Sequence, residues 1–216
     1  MTPPLLLLLV GLSYVLVFGG LTWLRREGFS LRFAIEAVII TLIAAGLAAY
    51  TPFQMNGVVL ILLLYVITMR VRLLVDLGNY LARRGQRSRA ASVYELASRL
   101  WPDSAGRLIL QINQGVLSLQ EGRLDEAIEK LQGVVAQANS GYLGAKQECA
   151  AHYNLAVAYE RKGLGAQATL EFNATLDTWP GSEYGRRAAA ALQRRSKREN
   201  PAPTETSGPT DDAGPG

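Results

Sequence analysis

Tyr153-Asn154-Leu155-Ala156-Val157-Ala158-Tyr159-Glu160-Arg161-Lys162-Gly163 reads as a helix closed by a glycine. From Ala156 the chain continues to Gly163, Ala168, Phe172 and Thr175, in steps of 7, 5, 4 and 3. The same steps lead from Gly78 to Gly85, Ala90, Tyr94 and Ala97, and from Gly115 to Gly122, Ala127, Leu131 and Val134. Such a spacing builds a hairpin of two helices. A small first residue lets the helices approach, and the glycine supplies the left-handed backbone that ends the first helix. The alanine on the second helix packs against that small residue, and the large apolar group one turn later fills the space between neighbouring hairpins. Leu100-Trp101-Pro102 and Thr178-Trp179-Pro180 close two units with a proline, which cannot continue a helix.

With these residues the chain resembles the tetratricopeptide repeat (TPR) family. The third unit is closest, through 153–163, Ala168, Phe172 and Pro180. The second offers Glu121-Gly122-Arg123-Leu124-Asp125-Glu126-Ala127-Ile128, and the first Asp76-Leu77-Gly78-Asn79-Tyr80-Leu81-Ala82-Arg83-Arg84-Gly85. The resemblance covers about half the chain and implies an all-α superhelix of three hairpins at 71–104, 108–141 and 149–182. The closing glycines Gly85, Gly122 and Gly163 are 37 and 41 residues apart, against a usual repeat of about 34. The extra residues fall near Asp103–Arg107 and in Gln137–Glu148, where looser stacking is expected. A helix at 183–199, with Ser182 as N-cap and distinct alanine and arginine faces, suits the cap that stacked repeats need.

The resemblance also implies a concave partner surface lined by the first helix of each hairpin. It would draw Arg72, Val75, Asn79, Ala82 and Arg83 from unit one, and Ile109, Ile112, Val116, Leu119 and Gln120 from unit two. Unit three would add Ala150, Tyr153, Val157, Glu160 and Arg161. Asn79 and Asn113 match two places of the carboxylate clamp found in some family members, but Val75, Ala150 and Asn154 stand where its other donors would be. In unit two, Gln111, Gln114 and Ser118 occupy positions usually apolar, while Ile109, Ile112, Val116 and Leu119 form an apolar stripe toward the groove. Such a stripe is either an open interaction surface or one covered by the chain itself, through Tyr142-Leu143 of the longer insertion.

The amino-terminal third has another character. Residues 1–69 hold only five charged side chains, Arg25, Arg26, Glu27, Arg32 and Glu36, marking 1–70 as a membrane domain. Leu5–Leu24 is twenty residues without a charge, long enough at about 1.5 Å per residue to cross the hydrocarbon core. A signal peptide would have a positive start and a small-residue cleavage site, which Met1-Thr2-Pro3-Pro4 and Trp23-Leu24-Arg25-Arg26 do not offer. Phe33–Tyr50 is a second span, stopped by Thr51-Pro52. Glu36, inside it, is either a buried functional acid or a side chain reaching the interface beside Arg32, four residues earlier. Gly57–Met69, short for a span by itself, is either a buried or re-entrant segment or, extended over 55–75 with Arg70 and Arg72 reaching the headgroups, a third span. A helix running unbroken from this span into unit one is the expected junction. Arg25, Arg26, Arg32, Arg70 and Arg72 then mark the membrane interface. The positive-inside rule puts the amino terminus outside a cell membrane and the repeats in the cytoplasm.

The net charge of +4 comes from arginines beside the membrane and in the last helix, without interleaved aromatics, which argues for anionic headgroups over nucleic acid. Cys149 and His152 are the only residues of their kinds, three apart on one helix; they read as packing, since no third catalytic partner is evident. No phosphate loop, zinc motif or Cys-x-x-Cys pair is present, so neither cofactor, metal nor catalysis is expected. Residues 200–216, rich in Pro, Gly, Thr and Ser, are expected to be a disordered tail. The functional expectation is a membrane-anchored scaffold that binds a protein partner; the alternative is a subunit of a transporter or membrane enzyme complex.

Overall fold

The computed structural model describes residues 3–24, 31–52, 55–137, 141 and 143–199. The tail at 200–216, the loop residues Arg25 and Arg26, and Tyr142 lie outside the described residues. Those described form ten α-helices and no strand. They are α1 (Pro3–Leu24), α2 (Leu31–Tyr50), α3 (Gly57–Thr68), α4 (Arg70–Arg83), α5 (Arg87–Arg99), α6 (Ser104–Gln120), α7 (Leu124–Val135), α8 (Ala145–Arg161), α9 (Gly165–Thr178) and α10 (Glu183–Glu199).

Helices α1 and α2 are long and apolar enough to cross a membrane, and contain the two spans expected at 5–24 and 33–50. They pack together and with α3 around Leu7, Tyr14, Ala37, Ala44, Leu60 and Leu64. Gly11 makes the close approach possible: a Cβ there would stand 2.2 Å from the Thr41 side chain. Tyr14 and Thr68 share a hydrogen bond of 2.8 Å between their hydroxyls. Outward-facing residues such as Leu16, Val17, Leu42 and Leu62 remain exposed, as on a surface made for hydrocarbon.

The third expected span departs from the sequence reading. Helix α3 stops at Thr68, and α4 starts at Arg70 after a bend of 67°. There is no unbroken helix over 55–75; the bent pair together could make one span, and α3 alone has 12 residues. No proline or glycine sits at the break. What holds it is Arg70, whose Nη1 donates to the Ile67 carbonyl at 2.6 Å while its guanidinium pairs with Glu36.

Beyond the bend, α4/α5, α6/α7 and α8/α9 form three successive antiparallel hairpins, with α10 packed on α9 and α8. The first helix of each hairpin also touches that of the next. Closure is the same at all three turns. Gly85, Gly122 and Gly163 adopt φ of +76°, +79° and +81°. The following amides of Gln86, Arg123 and Leu164 then reach back to the carbonyls of Leu81, Ser118 and Tyr159 at 3.0, 2.9 and 2.9 Å, satisfying carbonyls that a helix end would leave bare. Between the helices, Ala90, Ala127 and Ala168 are fully buried beneath Tyr94, Leu131 and Phe172. A Cβ on Gly78 would lie 2.3 Å from Tyr94 Cε1, and one on Gly115 2.8 Å from Leu131 Cγ.

Among the described residues of the two longer connections, Ser104–Arg107 and 145–148 belong to helices. Asp103 caps α6 by accepting from the Gly106 amide at 2.7 Å, so Ser104–Arg107 becomes its first turn. Residues 145–148 likewise open α8. Ser182 caps α10, its hydroxyl accepting from the Gly185 amide at 2.9 Å, while Ala188 and Ala191 bury that helix against the preceding pair.

Candidate partner-binding groove

The first helices of the hairpins, together with α10, line a groove of about 930 Å³. Sequence places five of the expected site residues there: Asn79 on α4, Ile109, Ile112 and Val116 on α6, and Tyr153 on α8. Arg72, Val75, Ala82, Arg83, Gln120 and Ala150 line it as well. Leu119, Val157, Glu160 and Arg161 do not. Leu119 is buried in the core shared with α7 and α8. Val157 packs half-buried against that core. Glu160 turns to the basic end of α10, 4.0 Å from Arg195. Arg161 donates from Nη1 to the Leu119 carbonyl at 3.1 Å, tying α8 to the end of α6. The register on α8 therefore turns its last turn away from the groove.

The apolar stripe of α6 divides in the same way. Ile109 and Val116 are half-buried on the groove wall. Ile112 lines the wall but is only 7% exposed and belongs to the core. Leu143, also buried, belongs to the same cluster and lies at the groove. Along the stripe Ile112 and Leu119 are thus buried, while Ile109 and Val116 keep part of their surface accessible.

Polar groups supply direction. Asn113 and Asn154 each donate one amide hydrogen to the carbonyl four residues earlier, Ile109 and Ala150, at 2.7 Å. The carbonyl oxygen and second amide hydrogen of each remain for a ligand. Asn79 is engaged differently, accepting from the Tyr94 hydroxyl at 2.7 Å. Burial pushes the Tyr94 phenol up to about 12 and raises that of Tyr184 as well. Both stay neutral donors at ordinary pH. Charged side chains at the rim are Arg72, Asp76, Arg83, Lys146, Glu183 and Arg187, with Glu183 and Arg187 paired to each other.

Tyr184 and Arg187 were not legible as groove residues, because the helix that carries them reads as a cap. Tyr184 packs tilted against Tyr153, ring centroids 5.5 Å apart, and both line the groove. Lys146 and Gln147 enter through the added first turn of α8.

Of the expected interface arginines, Arg32, Arg70 and Arg72 lie among the described residues. Arg32 pairs with Glu36 at 2.8 Å, as its spacing suggests. Arg70, expected at the headgroups, is instead bound within the protein by Glu36. Arg72 faces the groove. On the third hairpin, the Cys149 thiol is fully buried near the Thr175 carbonyl and the Ser182 hydroxyl, and His152 Nδ1 meets Glu171 at 2.7 Å. The thiol and the imidazole thus turn to different partners. Among the described residues no three metal-ligating side chains converge. The chain matches no protein-family model, no curated protein and no solved structure, so the groove's own residues carry the functional reading.

Proposed function

We propose that this chain is a membrane-anchored, non-catalytic TPR scaffold that holds a segment of a protein partner in the groove between α4 and α10, at the cytoplasmic face of a cell membrane. The observation that carries the reading is convergence. Residues from five helices, spread from Val71 to Arg187 in sequence, meet around one groove with an apolar wall and amide side chains at intervals. An extended peptide has both needs: apolar side chains to bury and backbone amides to pair. Assembly of a membrane complex is the setting that an anchor joined to such a groove suits.

The test uses the full chain in detergent-solubilised membranes, with Ile109→Asp and Val116→Asp as groove variants. A photocrosslinker placed at Val116 should attach to one partner protein in the wild-type background, and Ile109→Asp should abolish that product while the variant keeps its helix content by circular dichroism. An unaltered product would refute the groove reading. Crosslinking confined to exposed residues of α1–α3, such as Leu42 and Leu62, would favour a subunit of a transporter or membrane enzyme complex.

A further inference from the structure

One face of α4 is apolar and uncovered. Leu73, Leu77 and Tyr80 are 38%, 46% and 49% exposed, and with Arg84 they form a single stripe along the helix. The repeat reveals what this face does elsewhere. The equivalent places, 37 residues later in α6, are Leu110, Gln114 and Leu117; in α8, 41 residues further, they are Ala151, Leu155 and Ala158. Leu110 and Leu117 are buried in the cluster of the hairpin before them, with Val75, Ala90 and Tyr94. Ala151, Leu155 and Ala158 are buried in the cluster that holds α6 and α7. The face is where each hairpin meets its predecessor. Hairpin α4/α5 has no predecessor. What comes before it is α3, one residue away and turned by 67°.

We propose that the surface of an anionic bilayer takes the predecessor's place, and that α4 lies in the membrane interface. With α3 along the bilayer normal, α4 is inclined 90 − 67 = 23° to the membrane plane. Leu73 and Leu77 then enter the boundary of the acyl chains. Tyr80 sits among the headgroups, where aromatic side chains with a polar tip are favoured. The Arg84 guanidinium, 4.5 Å from the centre of the Tyr80 ring, meets lipid phosphate. Arg83, Arg84, Arg87 and Arg89 follow one another without an intervening acid. If α4 stood upright, its 14 residues would carry them about 20 Å from the bilayer, about two Debye lengths or more at physiological salt. Lying flat, they reach it.

Trp101 adds an independent sign. It is 78% exposed and holds φ of +50°, a conformation rare for any residue but glycine. Its loop is fastened to the membrane end of α4, because Arg70 Nε donates to the Leu100 carbonyl at 3.2 Å. An indole presented there is placed for the same interface.

This proposal rests on α1–α3 crossing a membrane and is independent of what the groove binds. It is tested in the full chain carrying Cys149→Ala, with single cysteines at Leu77→Cys and Tyr80→Cys bearing an environment-sensitive fluorophore. The probe is a nanodisc of phosphatidylglycerol and phosphatidylcholine with brominated chains. Val59→Cys on exposed α3 and Leu170→Cys on exposed α9 are the two references. The expected result is a clear loss of fluorescence at 59 and 77, a smaller one at 80, and none at 170. If 77 and 80 behave as 170 does while 59 is quenched, the bilayer does not cover this face. Quenching at 77 and 80 that requires two copies per disc makes the cover a second chain and also overturns the proposal. Absence of quenching at 59 would remove the membrane-spanning reading itself.

Discussion

Arg70 grips Glu36 with both terminal nitrogens, Nη1 to Oε2 at 2.6 Å and Nη2 to Oε1 at 2.9 Å, across 34 residues of chain. The same guanidinium donates to the carbonyls of Ile67 and Leu100. One side chain therefore joins α2, the end of α3 and the end of α5 at the bend itself. A planar fork with five donors can do this; an ammonium cannot meet all four acceptors in those directions.

That junction predicts an order of variants. Arg70→Met should lower the stability of the full chain by about 2 kcal/mol, the scale of lost charge-assisted hydrogen bonds, and Arg70→Lys by about half as much. Thermal melting in detergent would read both. Equal melting of all three proteins would mean that the fork contributes nothing.

Close packing sets opposite signs for two glycines. Gly78→Ala drives a methyl into the ring of Tyr94 and should destabilise by about 1–3 kcal/mol. Gly133→Ala, inside α7 with nothing within 4 Å of the added carbon, should stabilise by about 0.5–1 kcal/mol. Denaturant melts of the two variants side by side would check the contrast.

Tyr94 makes the fold sensitive to alkali. Its phenol ionises near 10 when unfolded and near about 12 when buried. Between those values only the unfolded chain sheds the proton, so stability is intact below pH 10 and declines as pH rises toward about 12. Tyr94→Phe should flatten that part of the decline. An identical slope in the variant would assign it to other tyrosines, Tyr184 first among them.

Gln111 predicts a gain. Its Oε1 is buried without a hydrogen-bond partner, and the matching place in the first hairpin, 37 residues earlier, holds Leu74. Gln111→Leu should raise stability by about 1 kcal/mol, since an unsatisfied buried acceptor carries its full desolvation cost. A lower melting temperature would show that the amide is paired after all.

The wall of the groove and its foundation should respond differently to truncation. Ile112→Ala, in the core, is expected to cost about 2–4 kcal/mol. Val116→Ala, half-buried at the surface, should cost less than about 1 kcal/mol. Matching losses would mean that Val116 is as deeply packed as Ile112.

Much of this architecture is written locally. Pro52 ends the span read at Phe33–Tyr50, and Gly85, Gly122 and Gly163 each end a helix because the backbone there turns left-handed. The pairs Gly78–Tyr94 and Gly115–Leu131 are read from spacing alone, since helical pitch fixes which residues meet. The bend at Met69 has no such local mark. Thr68-Met69-Arg70 contains neither glycine nor proline, and the break depends on Glu36, distant in sequence. The groove was half legible for the same reason. Asn79, Ile109 and Val116 follow from helix periodicity, whereas Leu119 is drawn into the core by α8 and its carbonyl is claimed by Arg161. Tyr184 reaches the groove from a helix whose own pattern marks it only as a cap.

Helix α6 serves two cores at once. Leu110 and Leu117 belong to the cluster around α4 and α5, and Leu108, Ile112 and Leu119 to the one that runs from α7 to α10. The three hairpins therefore have a seam along a single helix, with the groove crossing it. A pull transmitted from the anchor through Arg70 loads only the smaller side of that seam. Hydrogen exchange and single-molecule extension should accordingly resolve two cooperative steps, with α4 and α5 peeling away first and the larger block of α7–α10 remaining folded.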